Sequence, residues 1–135
     1  MNHIAMRLAV IAFALVVFTS CRTGAIYNVV DAPVTTGNNK APSLDEVTKA
    51  IVTAGKGLGW QMSIVQPGLI VGTLNIRSHQ AVVDIPYTIK TYSIKYKNSS
   101  NLKYDAEKQT IHSNYSGWIQ NLDNAIKLQL SSIGA

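Results

Sequence analysis

Phenylalanine is absent after residue 18, and cysteine occurs once, at Cys21. One cysteine excludes an intramolecular disulfide. Acidic residues are sparse: Asp and Glu total 7 against 12 Lys and Arg, for a formal net charge of +5. A positive surface favours anionic lipid headgroups or polyanions. No nucleic-acid recognition motif accompanies the charge, so nucleic acid is not an expected partner. Neither His79 nor His112 has a second ligand type at metal spacing, and a zinc site needs three or four convergent ligands. No metal and no cofactor is expected.

The long apolar run that is present is Leu8 to Phe18. Arg7 precedes it, and the small residues Thr19 and Ser20 follow. A positive start, an apolar middle and small residues before a cut form a secretory signal. The run is shorter than the roughly 20 apolar residues of a membrane-spanning helix. Val17-Phe18-Thr19-Ser20-Cys21 resembles a bacterial lipobox, with Phe18 at a position where Leu or Val is usual. The resemblance implies that residues 1–20 are removed and that the Cys21 sulfur carries a diacylglyceryl group. It also implies that the new amine is acylated. At about 0.8 kcal/mol per buried CH₂, two or more chains anchor a protein durably. Lipoproteins that keep an Asp after this cysteine typically stay in the inner membrane. By that resemblance Arg22 implies the outer membrane, with the protein facing the periplasm of a cell envelope.

Residues 21–42 read as the lipidated cysteine and a flexible tether. Pro33 and Pro42 are breakers, and Thr35 to Lys40 is loop-like. Fully extended, such a segment reaches roughly 70 Å. Ile26 to Val30 is the ambiguous part, equally compatible with tether and with an edge strand docked on the domain.

Residues 43–135 read as a single α+β domain. Ser43 and Glu46 form a capping box, and Leu44, Val47, Ala50, Ile51 and Ala54 recur at helical spacing. A helix is expected over about 44–55, stopped by Gly55, Gly57 and Gly59. Four strands are expected over 60–64, 69–77, 81–89 and 91–98. Pro86 fits an inner strand poorly. A small hairpin, 102–104 with 110–112, and a second helix over about 116–132 follow. The order is α-β-β-β-β-α. The expected fold is a two-layer sandwich: a four-stranded antiparallel meander with both helices on one face.

Ala25-Ile26-Tyr27-Asn28-Val29, Gly59-Trp60-Gln61-Met62, Ala81 to Ile85, Tyr92 to Tyr96, Asn101 to Tyr104 and Asn114 to Leu122 together resemble a group of small proteobacterial envelope lipoproteins. The resemblance covers nearly all of the chain after residue 20. It implies an envelope lipoprotein and carries over no activity.

A catalytic set is not evident. Asp84 lies within an apolar strand, but a cross-strand pair with Arg77 or Lys95 explains it as well. Tyr104, Tyr115 and Trp118, beside Asn101, Asn114, Gln120 and Asn121, are a candidate platform for stacking on a sugar such as peptidoglycan glycan. Lys95, Lys97 and Lys103 form a basic stripe suited to phosphate groups of lipopolysaccharide. Three readings stay open. The preferred one is a non-enzymatic lipid-anchored module that binds an envelope protein or polymer. The second is an envelope hydrolase using His79, His112 or Asp84. The third is an assembly factor that pairs through a strand edge near Pro86 or residues 26–30.

Overall fold

The structure, a computed structural model, describes residues 22–135; the signal segment and Cys21 lie outside the described residues. In chain order the elements are β1 (Thr23–Ala25), β2 (Val29–Pro33), α1 (Leu44–Gly57), β3 (Gln61–Gln66), β4 (Leu69–Ile76), β5 (His79–Pro86), β6 (Thr91–Ser100), β7 (Thr110–His112) and α2 (Asn114–Ser131). The strands form a five-stranded sheet in the order β2-β6-β5-β4-β3 and a two-stranded ribbon of β1 and β7. All pairings are antiparallel.

The expected four-stranded sandwich is therefore corrected. The segment read as tether supplies a strand to each sheet. Two local features hide these strands. β1 is short, and its partner is the distant β7, with Thr23 opposite His112. β2 is broken by a bulge: its register runs from Val29–Ile94 to Ala32–Tyr92, so Val30 and Asp31 together oppose one residue, Ser93. A bulge destroys the period-two pattern by which strands are recognised. Asp31 sits in the left-handed region at φ 49°, and its N–H donates to Ser93 Oγ at 2.9 Å. The ribbon also revises the expected 102–104 hairpin. Only His112 N–H to Leu102 O, 2.7 Å, and a bridge from Asp105 to Thr110 link those segments.

The helices pack together on one face of the large sheet, and the core lies between. Ile70 faces Ile85, Gly72 faces Val83 and Leu74 faces Ala81 across β4 and β5. α1 contributes Val47, Ile51 and Ala54; α2 contributes Tyr115, Ile119, Leu122, Ile126 and Leu130. Each large aliphatic side chain of this kind contributes about 1.5–3 kcal/mol by leaving water. Gly72 is small for a reason: a β-carbon there would stand 3.2 Å from the ring of buried Trp60. Gly55 likewise lets α1 close onto Met62 of β3.

α1 starts where the capping box places it. Ser43 Oγ accepts from Glu46 N–H at 3.1 Å, and Glu46 Oε1 accepts from Ser43 N–H at 3.0 Å. The helix passes through Gly55 and ends after Gly57, where Gly59 turns left-handed at φ 86°. Ile64 shares the face of its partner Ile70, but β3 is the sheet's edge and Ile64 is 55% exposed.

Candidate functional site

Three regions carry polar or aromatic chemistry. The first is one end of the domain, where the β4–β5 turn, the loop 101–103, β7 and the start of α2 meet. His79 Nδ1–H donates to the Asn101 carbonyl at 2.6 Å. Asn101 Nδ2 donates to Ser78 Oγ at 2.8 Å. The His79 ring lies 5.7 Å from His112 and 6.4 Å from Trp118, centroid to centroid. His112 Nδ1 accepts from Asn114 N–H at 3.1 Å, which requires that nitrogen to be bare. Partial burial, then the neighbouring charges of His79, Lys103 and Arg22, push the His112 pKa below the ordinary value. Both effects disfavour the charged form of this imidazole. Arg22 belongs to the same end, because its carbonyl accepts from Ser113 N–H at 2.8 Å.

Beside this end, the Tyr96 and Tyr104 rings stack at 4.3 Å, and Tyr96 meets Tyr115 edge-on at 5.9 Å. Tyr104 is 40% exposed, but Tyr115 is fully buried. The expected sugar platform is thus corrected. Tyr115 follows the helical stripe into the core, Trp118 packs against that core with part of its ring exposed, and only Tyr104 offers a broad face. Burial raises the pKa of Tyr115, whose hydroxyl finds no hydrogen-bond partner.

The second region is the outer sheet face. Ser63, Thr73, Asn75, Val82, Asp84, Lys95 and Lys97 lie on it, and among the described residues no helix or strand covers it. Asp84 is register partner to Lys95, yet its ion pair is with Lys97, at 3.2 Å. A second bulge explains this. Val82 pairs with Asn98 and Val83 with Tyr96, so Lys97 is the extra residue of β6 and swings over Asp84. Lys95 instead lines a shallow depression of about 360 Å³ with Asp31, Thr88, Thr91 and Ser93. Val82 is 9% exposed although it lies outside the main core.

The third region was not found from the sequence. Tyr92 Oη donates to Asp123 Oδ1 at 2.5 Å, and Lys127 Nζ donates to Asp123 Oδ2 at 2.9 Å. Tyr92 is buried, and burial and the carboxylate together raise its pKa beyond the ordinary phenol range. The signal was a lone carboxylate, Asp123, inside the apolar stripe of α2, four residues before a lysine.

The residues proposed for hydrolysis do not converge. His79 and His112 are neighbours, but Asp84 lies five residues along β5, roughly 17 Å away, on the opposite face. Among the described residues no group of three or more His, Cys, Asp or Glu could hold a metal ion. Of the strand edges expected near Pro86 and 26–30, only the first is placed differently. Pro86 ends an inner strand against Leu69, whereas β2, which begins at Val29, is an edge of the sheet and pairs with β6 on one side only. Each of the sheet's two edges, β2 and β3, keeps one row of backbone groups unpaired by a neighbouring strand. Lys103 falls at the His79–His112 end and Lys95 and Lys97 on the outer face, so the expected basic stripe is two separate groups. Cys21 lies outside the described residues. No described helix is long and apolar enough to cross a membrane.

No protein-family model matches the chain, and neither a curated protein nor a solved structure matches it.

Proposed function

We propose that the chain is a lipid-anchored cell-envelope protein, held by acyl groups on Cys21, whose domain binds a partner protein. The observation that carries the binding half is the uncovered outer face of the five-stranded sheet, bordered by the open β3 edge. The chemistry of that face favours protein over glycan. It presents hydroxyls, amides, the valines Val71 and Val82 and the Lys95–Asp84–Lys97 charges, and none of its strand residues is an aromatic ring on which a sugar would stack. The adjoining edge, with Ile64 and Val65 more than half exposed, suits strand addition, where backbone bonds give affinity and alternate side chains give selectivity.

A photoreactive residue at Thr73, on the outer face, tests this in intact cells against one at Lys49, on exposed helix surface. The expected result is a discrete adduct from Thr73 that disappears in Lys95→Glu/Lys97→Glu, with the melting temperature nearly unchanged because the ion pair broken is exposed. Adducts of equal yield from both positions, or none from Thr73, would overturn the binding face. The anchor is tested separately: fatty-acid labelling and membrane fractionation should vanish in Cys21→Ser.

A further inference from the structure

The reading of residues 22–42 as a leash implied a domain floating well away from the membrane. The structure removes that slack. Ordered pairing begins at once: the Arg22 carbonyl is bonded to Ser113 N–H, and Thr23, Gly24 and Ala25 are registered with His112, Ile111 and Thr110. Cys21 is joined to Arg22 by one peptide link, about 3.8 Å between Cα atoms. Any acyl chain on Cys21 must therefore enter a bilayer next to the His79–His112 end. We propose that this end sits flush on the membrane, with Arg22, Arg77 and Lys103 on anionic phospholipid headgroups and Trp118 at the headgroup level. This rests on the lipid-anchor reading of the preceding subsection and adds an orientation and a lipid chemistry to it.

The end is built for such a surface. The Asn101–Ser78 bond holds the Arg77–Ser78 turn against the loop that carries Lys103. All three cations are exposed. The ion pairs among the described residues lie elsewhere, at Lys97–Asp84 and Lys127–Asp123. The carboxylate nearest in the chain, Asp105, turns its Oδ1 to the backbone N–H groups of Glu107 and Lys108. Arg77 and Lys103 also occupy left-handed backbone positions, φ 55° and 53°, where glycine or asparagine sits at lower cost. A partly exposed tryptophan within a basic rim is the side-chain chemistry of a membrane–water interface.

Because Cys21 is the only cysteine, a lipidated full chain has no other thiol, and single cysteines report position. Ser113→Cys marks the anchored end; Lys90→Cys marks the opposite end, beyond Pro86, the last residue of β5. Each is reconstituted in phosphatidylcholine vesicles with and without phosphatidylglycerol and treated with an impermeant polyethylene-glycol maleimide. With phosphatidylglycerol, Ser113→Cys should react roughly tenfold more slowly than Lys90→Cys. Detergent, or Arg77→Glu/Lys103→Glu in the same background, should restore its rate. Equal rates on protein that floats with the vesicles would overturn the flush seat and leave the anchor intact. Shielding that is the same without phosphatidylglycerol would overturn the anionic preference. Protein that fails to float, and whose Cys21 itself takes the reagent, would overturn the anchor and this orientation with it.

Discussion

A carboxylate inside a core needs a partner on each oxygen, because an unpaired buried charge costs several kcal/mol. Asp123 meets that demand from two directions, with the Tyr92 hydroxyl on Oδ1 and the Lys127 ammonium on Oδ2. The two partners are unequal. Tyr92 is buried, whereas the Lys127 side chain is 55% exposed. Tyr92→Phe should lower the free energy of unfolding by about 1.5–3 kcal/mol, the range for a hydrogen bond to a charged group. Lys127→Ala should cost less than about 1 kcal/mol, as water replaces the ammonium. Urea denaturation of both variants checks the order, and the reverse order would mean that the lysine holds the carboxylate in place. This site was hidden in the sequence for a physical reason. An Asp and a Lys four apart on a helix are the usual mark of a solvated face, and nothing local shows that a tyrosine far back in the chain lies beneath the aspartate.

At the scale of elements, what was readable is what is determined locally. Ser43 and Glu46 satisfy each other's backbone N–H groups within one turn, so the start of α1 could be placed to the residue. Loss of that contact in Ser43→Ala should cost about 1 kcal/mol, measurable as a lowered melting temperature, and Ser43→Asp should retain most of it. An unchanged melting temperature in Ser43→Ala would mean that tertiary packing alone sets the helix start. The strands β3 to β6 were readable because each is long enough to alternate. β7 was read at its own residues, 110–112, but with the wrong partner; β1, three residues long, was missed, and β2, bent by the Asp31 bulge, was only overlapped by the ambiguous 26–30. The same limit misplaced the ion pair of Asp84. The extra residue in β6 exists only as a mismatch between two strands, so no reading of either strand alone reveals Lys97 above the carboxylate.

At the scale of the whole molecule, the consequence is that the first strands close the structure rather than lead away from it. β2 covers the edge of β6 that would otherwise stand open, and Val29 enters the core there. Beyond it, Val34 N–H donates to Lys90 O at 2.8 Å and Gly37 N–H to Ile133 O at 2.9 Å, tying the segment to the β5–β6 turn and to the chain's last residues. Composition pointed the other way, since Gly, Asn, Thr and Pro are the residues of linkers, and here they form turns fastened at both ends. Hydrogen exchange separates the two pictures. The amides of Ile26, Asp31, Val34 and Gly37 are all donors to named partners and should exchange roughly a hundredfold or more slowly than free loop amides such as Ala41. Uniform exchange across residues 22–42 at loop rates would restore the long leash and return the domain to any distance from its anchor that roughly 70 Å of chain allows. Protection at these four amides would instead fix the whole body to whatever surface holds Arg22.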